Sequence, residues 1–202
     1  QGLADAERQY DILTGVIICG IRHINPETSL ALAELAVTFK NRGVVAFDLA
    51  GAEYDNPAKY HKEAFYKVLK HNINCTIHAG EAFGPDSISQ ALHYCGANRI
   101  GHGTRLIENR DLMNYVNDHR IPLEICLTSN VQTKAISSLE NHPLKKYYDL
   151  GLRVTINTDN RLISNTNVTN ELYLAAQTFH FTLNDIANII IHGFKSAFLP
   201  HN

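Results

Sequence analysis

Short apolar runs rich in β-branched residues recur along the chain at fairly even intervals: Gly15 to Ile21, Val44 to Leu49, Cys75 to His78, Arg99 to His102, Ile121 to Leu127 and Arg153 to Thr158. Runs of this length without strict alternation predict strands buried on both faces. Between them, apolar residues return at helical spacing. Two such segments open on an Asn-Pro pair, Asn25-Pro26 and Asn56-Pro57, which predicts an asparagine N-cap followed by proline in the first turn, with Gly43 closing the first helix. The second helix is expected to bury Tyr60, Ala64, Phe65, Val68 and Leu69, with Lys59, Lys62, Lys67 and Lys70 elsewhere on the cylinder. Further helices are expected at Ser87 to Cys95, Asp111 to Asp118, Pro143 to Leu150, Thr169 to Phe179 and Leu183 to Phe198. The stretch from Thr128 to Asn141 reads as the longest polar loop.

This alternation predicts an α/β fold of parallel strands joined by helical crossovers, with no linker, low-complexity tract or second domain. Such a set of strands suits either an open doubly wound sheet or part of an eight-stranded barrel. The polar residues favour the barrel. Strand after strand ends in a chemically loaded segment: Asp48-Leu49-Ala50-Gly51, His78-Ala79-Gly80-Glu81, Gly101-His102-Gly103 and Asn157-Thr158-Asp159-Asn160. In a barrel those ends converge on one rim and can build one site, whereas an open sheet would spread them along an edge.

The 202 residues, 45% of them apolar, can bury a continuous core, as one domain or as a large piece of a bigger one. Lysine and arginine total 18 against 20 aspartates and glutamates, so there is no electrostatic footprint for nucleic acid and no basic run for a membrane surface. No apolar stretch approaches the roughly 20 residues that span a bilayer. The cysteines, Cys19, Cys75, Cys95 and Cys126, lack CxxC spacing, and most sit in apolar runs, which reads as a reducing, cytoplasmic setting. The only methionine is Met113, so Gln1 is not expected to be a native translation start, and the chain reads as a fragment or a processed product.

Each loaded segment has a chemical reading and a plainer one. Thr76-Ile77-His78-Ala79-Gly80-Glu81 ends a strand in an imidazole, a good zinc ligand, with a carboxylic acid nearby that can move a proton. Singly, His78 could be a hydrogen-bonded core histidine and Glu81 a carboxylate at a helix N-terminus. His102 between Gly101 and Gly103 is open to close approach, or is a strand-end turn facing water. Thr155 to Asn160 ends a strand in polar side chains that either bind something or form an Asx turn. Arg22 and His23 read as a surface turn, Asp48 as support for the Gly51 loop, and Ser129 with Asn130 as background polar residues or a turn.

Together the segments are far more specific. Val44-Val45-Ala46-Phe47-Asp48-Leu49-Ala50-Gly51, His78-Ala79-Gly80-Glu81, Gly101-His102-Gly103, Glu124-Ile125-Cys126 and Asn157-Thr158-Asp159 resemble, in order, the signatures of the adenosine deaminase family, from about Gly15 to Pro200. The resemblance implies a (β/α)8 TIM barrel of which this chain supplies about six strands and their helices. Residues 1–202 would then form a single partial domain holding barrel strands three to eight. It implies one zinc at the C-terminal rim and hydrolytic deamination of adenosine or 2'-deoxyadenosine to inosine or 2'-deoxyinosine. His78 matches a zinc ligand and Asp159 the metal-binding aspartate. Glu81 matches the acid that protonates purine N1, and His102 the histidine that orients or deprotonates the attacking water. Gly51 matches the glycine whose backbone N–H contacts purine N3. Zinc chemistry agrees with these residue types, because the metal lowers the pKa of bound water from about 15.7 to about 7 and so readies it for attack at C6. Glu81 must keep its proton at working pH to serve as the acid.

Two departures stand out. Where the family often has two adjacent aspartates, this chain has Asp159-Asn160, and an asparagine amide can donate to purine N7 directly, so Asn160 is expected to bind substrate. The family's opening His-x-His pair, which supplies two more zinc ligands, is absent from these residues. The resemblance therefore implies a partner: an N-terminal polypeptide segment that completes both the barrel and the zinc site. Three other readings compete. They are an adenine or modified-aminopurine deaminase of the same superfamily, a catalytically inactive purine-binding or interaction protein, and a sugar-phosphate barrel enzyme. The last would show glycine-rich phosphate loops near its final strands, which Gly151 does not supply.

Overall fold

The computed structural model describes residues 1–199; Pro200, where the family resemblance ends, lies outside the described residues. Six strands form one parallel sheet: β1 Val16–Ile21, β2 Val44–Ala50, β3 Asn74–Ala79, β4 Arg99–His102, β5 Leu123–Ile125 and β6 Val154–Ile156. Each strand pairs in parallel with its sequence neighbour, in the order β1-β2-β3-β4-β5-β6. That order decides between the two candidate topologies. A doubly wound sheet reverses direction at a switch point, whereas a (β/α)8 barrel adds its strands one after another. The chain is α/β and supplies six consecutive strands of such a barrel, with β1 and β6 at the edges of the arc.

The helices are α1 Gly2–Gln9, α2 Pro26–Phe39, α3 Lys62–Lys70, α4 Pro85–His93, α5 Arg110–Asp118, α6 Leu127–Gln132, α7 Leu144–Asp149, α8 Arg161–Ser164, α9 Val168–Phe179 and α10 Leu183–Ser196. None is long and apolar enough to cross a membrane among the described residues. Asn25 caps α2 as predicted, its side chain accepting from Thr28 N–H with Pro26 in the first turn. Asn56 does not cap the next helix: its amide turns to Tyr54 O, and the chain passes through a 3-10 turn, Ala58–His61, before α3 begins. Tyr60 sits on that turn and is 61% exposed, so the buried face of α3 reduces to Ala64, Phe65 and Val68. Helix α2 stops at Phe39, short of Gly43, whose left-handed φ of 97° instead turns the chain into β2.

The core lies between sheet and helices. Phe47 of β2 packs edge to face on Phe65 of α3 at 5.3 Å, and Ile77, Ile100, Leu123 and Val154 bury the following strands against Ile88, Val116 and Tyr147. Each such large side chain contributes about 2–3 kcal/mol by leaving water. This core fixes the strands, and the strands fix the direction of the polar groups at their C-terminal ends.

Candidate active site

The C-terminal ends of the strands carry a cluster of unusual backbone. Gly51, Gly80, His102, Gly103 and Asp159 all have positive φ, with His102 at 65° and Asp159 at 53°. For residues with a side chain this conformation costs about 1–2 kcal/mol each and persists only where the surroundings hold it. His102 closes β4 and Asp159 follows β6 by three residues, and both side chains line a cleft. That cleft, of about 400 Å³, is lined by His78, Gly101, His102, Glu124, Cys126, Ile156, Asn157, Thr158, Asp159 and Val168. Its size lies within the range of small-molecule sites.

His78 stands at the end of β3 with Nδ1 3.2 Å from both oxygens of Asp48 on β2. The carboxylate can only accept, so Nδ1 carries a hydrogen, and in the neutral ring the lone pair sits on Nε2, the arrangement that orients a metal-ligating imidazole. Asp48 thus serves His78 rather than the Gly51 loop. Burial by itself opposes a charged His78, but Asp48, Glu124 and Asp159 outweigh it and hold the imidazolium up to about 9, so a metal ion bound at Nε2 would displace a proton. Asp159 follows β6; its Oδ2 accepts from Ser129 Oγ at 2.7 Å, which leaves Oδ1 free. The residues fit half of a tetrahedral zinc set, one imidazole nitrogen and one carboxylate oxygen on one cleft. Among the described residues no group of three or more His, Cys, Asp or Glu side chains is arranged to hold a metal ion by itself.

His102 is nearly wholly buried at the end of β4, its ring edge-to-face on His78 with centroids 5.0 Å apart. Burial holds it below the usual histidine value, with the neighbouring His78 acting in the same direction. Its Nε2 lies 3.5 Å from Glu81 Oε2. Glu81 Oε1 is already occupied as an acceptor, by Thr133 Oγ1 at 2.9 Å and Asn130 Nδ2 at 3.2 Å, so Oε2 is the oxygen left to exchange a proton. Helix α6 supplies Ser129 and Asn130, and it forms where the sequence reads as loop. The buried carboxylate of Glu171 on α9 accepts from both Thr128 N–H and Thr128 Oγ1 and pins the start of α6.

Sequence reasoning missed three further supports. Glu53, buried, accepts from four successive backbone N–H groups, those of Gly80, Glu81, Ala82 and Phe83, at 2.5–3.0 Å. The loop bearing Glu81 is therefore wrapped around one carboxylate. Arg22 is buried rather than part of a surface turn; it donates to His78 O at 2.5 Å and Asn56 O at 2.8 Å and so ties β1 to β3. His142, also buried, touches Asn130. No local motif marks any of them, since each acts on a segment distant in sequence. Of the residues singled out, His78, His102 and Asp159 share the cleft, and Glu81 joins it through His102. Gly51 ends β2 beside Ile21 and His23, away from the cleft wall formed by β3 to β6. Asn160 caps α8, its Oδ1 accepting from Ile163 N–H at 3.2 Å, which leaves its amide N–H groups to donate.

The family model described as adenosine deaminase matches residues 1–202. A Dictyostelium discoideum protein described as a probable adenosine deaminase is 43% identical over 198 residues, covering 98% of this chain and 26% of that protein. An adenosine deaminase of Mycobacterium avium (strain 104) is 40% identical over 219 residues, covering 98% of this chain and 59% of that protein. Among solved structures, the adenine deaminase of Arthrobacter aurescens superimposes with a TM-score of 0.92 at 24% identity, covering 98% of this chain and 60% of that one. The chain spans less than two thirds of the length of each of these proteins.

Proposed function

The chain belongs to the adenosine deaminase family, and from that premise we propose that it forms the catalytic rim of a zinc-dependent deaminase, acting on adenosine or 2'-deoxyadenosine and releasing ammonia. The observation that carries this reading is the meeting, at one cleft, of His78, His102 and Asp159, with Glu81 3.5 Å from His102. A purine nucleoside fits a cleft of this size, and the adenosine deaminase relatives at 40–43% identity favour adenosine over other purines.

His78 and Asp159 would hold the zinc, His78 through Nε2 once the metal displaces its proton and Asp159 through the oxygen that Ser129 leaves open. When bound, zinc supplies water of lowered pKa at neutral pH. The chain's own residues do the rest. Glu81 gives the proton on Oε2 to purine N1, which prevents negative charge from building on the ring as water adds at C6. His102 holds the attacking water from the cleft floor. Asn160, next to Asp159 of the cleft wall, would donate to N7, and Gly51 would offer its backbone N–H to N3 of a purine that extends from the cleft towards β2. The C6–N bond then breaks: one proton of the added water leaves with the amino group as ammonia, the other restores the acid on Glu81, and the 6-oxopurine keeps the proton at N1.

The other zinc ligands and barrel strands one and two would come from an N-terminal segment carrying His-x-His, with residues 1–202 holding strands three to eight. All four cysteines are free thiols, in keeping with a reducing, cytoplasmic setting. An adenine or modified-aminopurine deaminase is the second reading, since the residues assigned above meet the purine ring and none of them reads the ribose. Turnover assays of zinc-loaded, complete protein with adenosine and adenine side by side test both: ammonia release from adenosine alone supports the first, release from adenine alone replaces it with the second, and release from neither rejects both.

A further inference from the structure

A backbone N–H can only donate, and one such group orients every polar side chain behind His102. Leu144 N–H donates to His142 Nδ1 at 3.1 Å, so that nitrogen is bare and the neutral ring carries its hydrogen on Nε2. Burial keeps the ring neutral, holding it at about 3. His142 Nε2 lies 3.2 Å from Asn130 Oδ1, and as a donor it sets that amide one way round. Asn130 Nδ2 then spends its two hydrogens on Glu81 Oε1 at 3.2 Å and His102 Nδ1 at 3.0 Å. A flipped amide would press its oxygen on the Glu81 carboxylate and its N–H groups on the His142 N–H, so both neighbours enforce the same orientation. Asn130 is wholly buried and His142 almost so, which shields both from bulk water and leaves their protein partners to set the orientation. His102 Nδ1 is thereby an acceptor, and the hydrogen of its neutral ring must sit on Nε2, at the cleft.

We propose that Asn130 and His142 are positioning residues that lock His102 in its Nε2–H tautomer, so that His102 presents a hydrogen, and not a lone pair, to the oxygen that attacks the purine. The inference rests on the deaminase reading only for its last clause. The tautomer itself is a property of the folded chain. It separates the two roles the sequence leaves open for His102: the ring orients the attacking water by donating to it and does not take its proton.

The test is long-range 1H–15N correlation on the zinc-loaded protein, 15N-labelled at histidine, with His102 and His142 signals assigned from their loss in H102Q and H142F. Both rings carrying hydrogen on Nε2 with Nδ1 bare supports the proposal; hydrogen on His102 Nδ1, or exchange between tautomers, overturns it. Asn130→Asp replaces the donor with an acceptor. It should move the His102 hydrogen to Nδ1 and lower kcat by about 100-fold with little change in KM, the size of loss that follows from misdirecting one catalytic group. An unchanged tautomer in N130D overturns the proposal. If N130D fails to fold, the wild-type spectrum still decides. An Nε2–H ring in a protein that deaminates no aminopurine leaves the relay standing and rejects the deaminase reading. Adenosine turnover with hydrogen on Nδ1 does the reverse.

Discussion

At the scale of single residues, the histidine, glutamate and aspartate of the rim were legible because each sits in a short motif at the end of an apolar run. The residues that aim them were not, because Glu53, Arg22 and His142 each meet their targets from distant elements and no spacing rule records that. Glu81→Gln keeps the shape of the site but cannot deliver a proton; kcat for adenosine should fall by about 10²–10⁴-fold with substrate affinity retained, measured by steady-state ammonia release. Gly101 abuts β3 so closely that a Cβ would lie 3.1 Å from His78 Cα. Gly101→Ala should cost about 1–3 kcal/mol in urea unfolding and lower zinc occupancy by displacing His78. His142 gives the pH dependence. Burial, with His102 a lesser cause, lowers it to about 3 in the fold against about 6.5 in the unfolded chain, so below pH 6.5 the unfolded state binds the extra proton. Stability from this group is therefore complete above pH 6.5 and is lost as pH falls toward 3. The loss should be about 2 kcal/mol between pH 6.5 and pH 5, and the slope should flatten in His142→Phe, as read by denaturant midpoints across that range.

At the scale of elements, strands were read more surely than helix starts. Arg99 to His102 matches β4 to the residue, with Ile100 to His102 buried. The proposed cap at Asn56 failed because the chain enters a 3-10 turn at Ala58 with Pro57 at its N-cap, while Asn56 Nδ2 donates back to Tyr54 O. Helix α6 hid inside a run of threonine, serine and asparagine that ordinarily favours turns; the tether to Glu171 overrides that preference. The loop from Gly80 to Phe83 is held in the same manner by Glu53. Glu53→Gln would set an N–H against that row of N–H donors, so the melting temperature should drop in proportion to about 1–3 kcal/mol, and kcat should fall with it because Glu81 rides on the loop. A variant that loses neither would show the row of hydrogen bonds to be dispensable.

At the scale of the whole molecule, alternation gave the α/β class, and the convergence of polar strand ends favoured a barrel before any strand order was in hand. Where the arc would close was not legible from periodicity, since β1 and β6 read like any other strand. Their exposed edges show in side chains such as Val16 at 40% and Ile17 at 37% exposure, and in the apolar trough of about 460 Å³ beside Ile189, Ile190 and Phe194. Adding a segment that carries the His-x-His strand should bring zinc to about one ion per assembly and raise the melting temperature, because binding only the folded state stabilises it. Elemental analysis and calorimetry with and without that segment check both.

The consecutive strand order also has a topological meaning. From β2 to β5 every strand is flanked by the one made just before it and the one made just after it, so consecutive strands are always neighbours. The arc behaves like the side of a cask built stave by stave: a cut between neighbouring staves severs one link in the chain and leaves every remaining crossover intact. Two pieces divided at such a point could be made separately and close around the same floor, with the rim's chemistry recovered at the seam.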